Sequence, residues 1–316
     1  MRALIYDGEL RLVEDYPAPE IGEGEALVRV LMAGICNTDL EIIKGYMGFT
    51  GVPGHEFVGV VEASPEEELA GKRVVGEINC PCGTCDYCLT GMGNHCPARS
   101  VLGILKRDGA FAEYLTLPVE NLHIVPDGVR DEEAVFAEPL AAACRALEQV
   151  KLERGESVVV LGDGKLGLLV AQVVKSTGCA LLSVGLDPSK LSILRGMGIR
   201  TRPGTDGMKE KFDVAVDCTG SPEGLGAALS LTRPLGRVVL KTTVAENPSI
   251  DTSRIVVDEI TVIGSRCGPF EPALEALKAK TVKVEPLISA VVPFSNALEA
   301  FDIARKKDMI KVLLKM

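Results

Sequence analysis

Ser157-Val158-Val159-Val160-Leu161-Gly162-Asp163-Gly164-Lys165-Leu166-Gly167-Leu168-Leu169-Val170-Ala171-Gln172 is a β-branched apolar run, then G-x-G-x-x-G, then an amphipathic helical pattern. A lone G-x-G-x-x-G says little. One that follows a strand, opens a helix and starts a strand–helix series is the fingerprint of a dinucleotide-binding fold. Gly162 allows the tight turn, Gly164 lets backbone approach a pyrophosphate, and Gly167 lets helix pack on strand. Lys165 and Leu166 begin the helix, whose free N–H groups and dipole favour phosphate. The alternative is a glycine-rich turn with no ligand. Asp163 puts a negative charge beside that phosphate site, so its side chain is expected to turn away.

Downstream, strands at 157–161, 180–184, 213–217, 237–241 and 260–263 alternate with helices near 165–177, 188–196, 222–231 and 271–279. Such alternation predicts a doubly wound parallel sheet covered on both faces. Upstream the texture is all-β. Ala26–Leu31, Phe57–Val61 and Lys72–Val75 read as strands, with Pro17, Pro19, Gly22 and Gly24 as punctuation. The expected division is 1–138, with a cysteine lobe at 80–97, then 139–284, then 285–316 returning to the first domain.

The chain of 316 residues has a net charge of −10, a 47% hydrophobic fraction and a 25% charged fraction. That is an ordinary globular composition without a basic block, which argues against nucleic acid and anionic membrane as partners. No apolar run approaches the roughly 20 residues of a membrane span. The start, Met1-Arg2-Ala3-Leu4-Ile5-Tyr6-Asp7, has no signal-peptide core, so a reducing cytoplasmic setting is expected.

Ten cysteines and three histidines carry the remaining chemistry. Cys82-x2-Cys85-x2-Cys88-x7-Cys96 suits a closed tetrahedral structural zinc site. An iron–sulfur cluster is the alternative, but its last gap is typically about three residues. His95 is not needed there and reads as a loop residue. Between Cys36 and Glu56 the chain gathers Cys36, Thr38, His55 and Glu56. Thiolate and imidazole suit zinc, and a catalytic site keeps one position open. A buried free cysteine and a strand-edge histidine are the plainer reading. Tyr46, Met47 and Phe49 are candidates to line a substrate site or to join the core.

Taken in order, Gly34-Ile35-Cys36-x-Thr38-Asp39, Gly54-His55-Glu56, the Cys82/85/88/96 lobe, Glu138-Pro139-Leu140, the glycine loop and Asp217-Cys218-Thr219-Gly220 resemble the zinc-dependent medium-chain dehydrogenase/reductase family of alcohol, polyol and threonine dehydrogenases. The resemblance covers essentially the whole chain. It implies a GroES-like β-barrel catalytic domain, a Rossmann cofactor domain and a zinc-dependent oxidoreductase moving a hydride between an alcohol and NAD or NADP. It implies a catalytic zinc at Cys36 and His55, with Glu56 and Glu138 completing the shell directly or through water, and a second, structural zinc. Thr38 matches the hydroxyl that handles the alcohol proton. Cys218, Thr219, Gly220 and Arg266 lie where the family places nicotinamide. Homodimers or homotetramers are the family habit. A non-catalytic NAD(P)H-binding relative and a non-redox epimerase or lyase are the competing readings.

Two positions depart from the family pattern. Glu41 stands where many members carry a relay histidine. Gly185 stands where an acid usually binds the adenosine ribose. Asp187-Pro188 reads as a helix N-cap with proline in the first turn, not as that acid. With Lys190 nearby, Gly185 predicts that NADP is accepted or preferred.

Overall fold

The computed structural model describes residues 1–243 and 249–316. It divides into two units, Met1–Glu138 with Val284–Met316, and Pro139–Lys283.

The first unit is built on β1 (Glu25–Ile35). Its residues alternate between buried and half-buried as far as Met32, then stay buried through Ile35. Alternation marks a strand with one face on the core, and continuous burial marks a stretch covered on both faces. β2 (Glu56–Ala63) pairs with β1 antiparallel, β3 (Arg73–Gly76) with β2, β4 (Tyr114–Pro118) with the start of β1, and β5 (Leu122–Ile124) with β3.

Among the described residues the second unit holds six parallel strands. These are β6 (Ser157–Leu161), β7 (Ala180–Gly185), β8 (Arg200–Pro203), β9 (Phe212–Asp217), β10 (Thr232–Leu240) and β11 (Thr261–Gly264). Their order is β8-β7-β6-β9-β10-β11, the Rossmann order, which reverses between β6 and β9 and opens a crevice at the carboxyl ends of those strands. Val158, Val159 and Val160 are fully buried, each contributing roughly 1.5–3 kcal/mol by leaving water. Val159, Leu182, Phe212, Ala215, Leu229 and Val238 pack into one core of this unit.

The sequence pattern anticipates five of these strands and misses β8. Arg200-Thr201-Arg202-Pro203 has no apolar run, because it is the exposed edge of the sheet, where charge and proline are tolerated. β10 also begins earlier than the expected 237, crossing a register shift against β9.

The chain then returns to the first unit. β12 (Ile288–Pro293) pairs parallel with β13 (Lys311–Lys315), and β13 lies antiparallel against the end of β1. Gly34 of β1 therefore sits between Glu56 of β2 and Leu313 of β13. Among the described residues no helix is long and apolar enough to cross a membrane.

Candidate active site

β1 runs directly into α1 (Asn37–Ile42), with Cys36 as the residue before its first turn. The Cys36 amide donates to Asp39 Oδ2 at 2.8 Å, which fixes the approach of the thiol. Ile42 anchors the helix by packing with Tyr6 and Phe49, so Phe49 belongs to the core while Tyr46 and Met47 are exposed. Gly54, at φ 98°, carries the chain into β2; a β-carbon there would meet the Phe111 ring at 2.8 Å. That turn delivers His55 and Glu56 to the end of β1.

One donor atom each from Cys36, His55 and Glu56 lies within 4.8 Å of the other two. His55 is 3% exposed and Glu56 1%. A half-buried thiol and a buried imidazole and carboxylate that converge this closely fit zinc with a position to spare. Glu138, in the first turn of α2 (Ala137–Val150), stands outside that trio.

Two buried residues support the trio, and neither was a site candidate from sequence. Asp39, with no exposed surface, places Oδ1 3.1 Å from Nδ1 of His55. This is ion-pair range without the alignment of a full hydrogen bond, and it leaves Nε2 for a metal. Burial pulls the His55 imidazolium down, but the Asp39 charge and contact, with Cys36, outweigh it and hold His55 well above its ordinary value. A metal arriving there must displace that proton.

Lys311 is the second support. Its buried ammonium is ion-paired with Glu56 Oε2, lies 3.4 Å from the Ile35 carbonyl and sits 5.7 Å from the Phe136 ring centroid. Burial pulls it down to about 8, against the opposing charges of Cys36 and Asp39. The pair has room because residue 34 is glycine: a β-carbon there would lie 2.6 Å from Lys311 Cε and 2.8 Å from Glu56 Oε2. The reciprocal cap of Cys36 and Asp39 was a possible sequence signal for Asp39. Lys311 had none, because β13 reaches Glu56 only through the sheet.

Thr38 is half-buried, its Oγ1 3.8 Å from Cys36 Sγ and accepting from the thiol. Glu41 points elsewhere: its side chain is 45% exposed and paired with Lys44 at 2.9 Å.

In the second cysteine group, the sulfurs of Cys82 and Cys88 are 3.9 Å apart, Cys85 and Cys88 3.4 Å, Cys85 and Cys96 3.7 Å, and Cys82 and Cys96 3.6 Å. Zn–S bonds of about 2.3 Å require tetrahedral edges near ~3.8 Å, while a disulfide needs about 2.05 Å. The four thiols thus stand at separations that fit the corners of a zinc tetrahedron. Backbone amides of Thr84 and Cys85 lower the Cys82 thiol to about 6, favouring the thiolate that metal needs. His95 is exposed beside it.

In the second unit the three loop glycines have separable roles. A β-carbon on Gly162, at φ 112°, would lie 2.4 Å from the Cys218 carbonyl oxygen, and one on Gly167 would lie 2.1 Å from that of Gly162. Gly164 faces open space, directly before α3 (Lys165–Ser176). Two glycines close the turn and one leaves backbone bare at a helix N-terminus, a cradle that fits a pyrophosphate. Cys218, Thr219 and Gly220 follow β9, shaped by buried Asp217: its Oδ1 accepts from the Thr219 amide at 2.9 Å, the Thr219 hydroxyl at 2.8 Å and the Thr242 hydroxyl at 2.9 Å. Exposed Arg266 follows β11, where its carbonyl accepts from Lys241 at 3.0 Å.

Asp187 is the cap of α4 (Pro188–Gly196), accepting from the amides of Ser189 and Lys190. Asp163 turns to the end of β7, where the amides of Leu186 and Asp187 both donate to its Oδ2 at 2.6 Å.

Residues 22–127 match the alcohol dehydrogenase GroES-like domain, and residues 166–279 match the zinc-binding dehydrogenase family. The sorbitol dehydrogenase of Halalkalibacterium halodurans is 32% identical, over 96% of this chain and 94% of that protein. The erythritol/L-threitol dehydrogenase of Mycolicibacterium smegmatis is 30% identical, over 99% and 97%. A short chain alcohol dehydrogenase from Escherichia coli, solved with NADH, superposes with a TM-score of 0.93 at 27% identity, covering 100% of this chain and 99% of that one.

Proposed function

Since this chain belongs to the zinc-dependent medium-chain dehydrogenase/reductase family, we propose that it oxidises an alcohol or polyol, or reduces the matching aldehyde or ketone, by hydride exchange with NAD(P). The observation that carries this is the convergence of Cys36, His55 and Glu56 within 4.8 Å, with Asp39 behind the imidazole. When bound, zinc supplies Lewis-acid polarisation of the alcohol oxygen and the nicotinamide accepts the hydride.

The residues of the chain do the rest. Cys36 and His55 hold the metal, and Glu56 and Glu138 are the carboxylates available to complete its shell. Asp39 orients the His55 ring. Lys311 keeps a cation against Glu56, limiting how much negative charge the donor set presents. Thr38 hydrogen-bonds the substrate hydroxyl and relays its proton, giving up its own hydroxyl proton toward solvent as it accepts. Glu41, exposed and paired with Lys44, leaves direct release to solvent as the proton route. Cys82, Cys85, Cys88 and Cys96 hold a structural zinc. Gly162, Gly164, Lys165, Leu166 and Gly167 cradle the cofactor phosphates, and Cys218, Thr219, Gly220 and Arg266 border the nicotinamide. The ten cysteines, none in a disulfide, suit a reducing cytoplasm, and a homodimer or homotetramer is the working assembly.

The test is net formation of reduced cofactor across a panel of alcohols and polyols, with the polyols first because two of the matched proteins are polyol dehydrogenases. Cys36→Ser and His55→Ala should each abolish turnover while leaving the melting transition in place. Substantial turnover in either variant ends the assignment of the catalytic metal. Turnover without net cofactor reduction would favour the epimerase or lyase reading. Glu41→Gln should change kcat only modestly; a loss of about 100-fold, the scale of general acid–base catalysis, would exclude the solvent route.

A further inference from the structure

Gly185 lacks the side chain expected to bind the cofactor ribose, yet the end of β7 is not without charge. Asp163 crosses to it from the glycine loop. A β-carbon on Gly185 would lie 2.5 Å from both Cβ and Oδ2 of Asp163, and 2.6 Å from its Cγ. The space that an acid on β7 would start from is filled by a carboxylate from the neighbouring turn. The amides of Leu186 and Asp187 fix it there through Oδ2, each at 2.6 Å. Oδ1 takes part in none of the described hydrogen bonds.

We propose that Asp163 is the cofactor-specificity residue of this enzyme: its carboxylate replaces the missing acid at Gly185, binds the unphosphorylated adenosine ribose of NAD and repels the 2′-phosphate of NADP. The inference deepens the dehydrogenase reading and rests on it. It reverses the preference for NADP that Gly185 alone predicts. The sign follows from charge. A carboxylate accepts hydrogen bonds from a ribose diol, and a charged acceptor is worth more than a neutral one. The same carboxylate opposes a phosphate dianion.

Two cations, Arg202 on β8 and Lys190 on α4, belong to the elements beside β7, and Asp163 is the carboxylate held at its end. The Arg202 guanidinium donates to the Asp206 carbonyl at 2.6 Å. Lys190 lies close enough to Asp187 to help lower its carboxyl, behind the larger effects of the Ser189 hydroxyl and amide. Gly185 and Asp163 also explain one another. An aspartate at 185 and the present position of Asp163 exclude each other sterically, so the acid comes from one strand end or from the adjacent loop, not from both.

The experiment is direct binding of NADH and NADPH to the zinc-loaded protein without substrate, followed by nicotinamide fluorescence and calorimetry. Wild type should bind NADH at least about tenfold more tightly than NADPH, the scale of one charged hydrogen bond. Asp163→Asn keeps a carbonyl oxygen for the two amides and removes the charge, and should reduce that ratio about tenfold. The exchange Asp163→Ser with Gly185→Asp moves the acid to β7 and should restore it. Equal or tighter binding of NADPH by wild type overturns the proposal, as does an unchanged ratio in a folded Asp163→Asn. If that variant does not fold, the wild-type ratio and the exchange variant decide. If wild type binds neither cofactor, the dehydrogenase reading itself fails, and the proposal with it.

Discussion

Nδ1 of His55 lies 3.1 Å from Oδ1 of Asp39, and the other oxygen of that carboxylate accepts the Cys36 amide at 2.8 Å. One buried acid therefore positions both the imidazole and the thiol of the trio. Each Asp39 oxygen has its own task, and substitution should affect both ligands together.

Asp39→Asn should weaken zinc binding at the Cys36–His55 site by about 10–100-fold, the usual effect of losing a group that orients a metal ligand. Competition with a chromogenic chelator measures this without relying on turnover. The cysteine lobe, in a separate loop, should keep its metal. Wild-type affinity in Asp39→Asn would show that His55 is oriented by packing alone.

Gly34→Ala tests the room made for the buried Lys311–Glu56 pair. Its methyl would enter within 2.6 Å of the Lys311 side chain. Overpacking of this kind costs about 1–3 kcal/mol, and displacing Glu56 should also reduce zinc occupancy of the trio. Urea unfolding with metal analysis reads both effects. Full stability and full occupancy would mean the pair shifts without cost.

Cys85→Ser should lower the metal content from two zinc ions per chain to one. Cys85 is within 3.7 Å of two other sulfurs, so its loss opens the tetrahedron and should make the loop from Cys82 to Cys96 a preferred site of limited proteolysis. Iron in the purified protein, or an unchanged zinc count in the variant, would defeat the structural-zinc assignment.

Tyr16 offers a pH test outside the metal sites. Its hydroxyl donates to Asp108 Oδ2 at 2.7 Å, and Asp108 Oδ1 accepts from the Val52 amide at 2.9 Å, on the segment leading to His55. Burial, then the hydrogen bond and the charge of Asp108, raise Tyr16 from 10.0 to about 12. A group whose folded value is raised stabilises the fold fully below its unfolded value. That stabilisation is lost as pH rises from about 10 through about 12. Ultraviolet titration should show a late tyrosinate step in wild type that Tyr16→Phe lacks. Ionisation of Tyr16 together with the exposed tyrosines would show that the Asp108 contact does not persist in solution.

Sequence alone determined what is local or periodic. The run Ser157–Leu161, the glycine loop and the alternation after it specified a Rossmann sheet, because period and turn chemistry are set by neighbouring residues. The grouping of Cys82, Cys85, Cys88 and Cys96 was legible for the same reason, since all four lie on one short loop. The Asp187 cap followed from Asp-Pro at a helix start. β8 was not legible, since an edge strand need not be apolar. Only the tertiary structure decided the rest. Lys311 meets Glu56 because β13 pairs with β1 across nearly the whole length of the chain, and no spacing rule connects them. The Gly34 of the G-I-C motif has its reason in that same distant lysine. Asp163 sits at Gly185 because β6 and β7 are parallel neighbours whose carboxyl ends lie side by side, so a charge absent from one strand is supplied by the turn after the other. A linear reading assigns each side chain to its own segment; the sheet places it by register, and register emerges only when the strands pair.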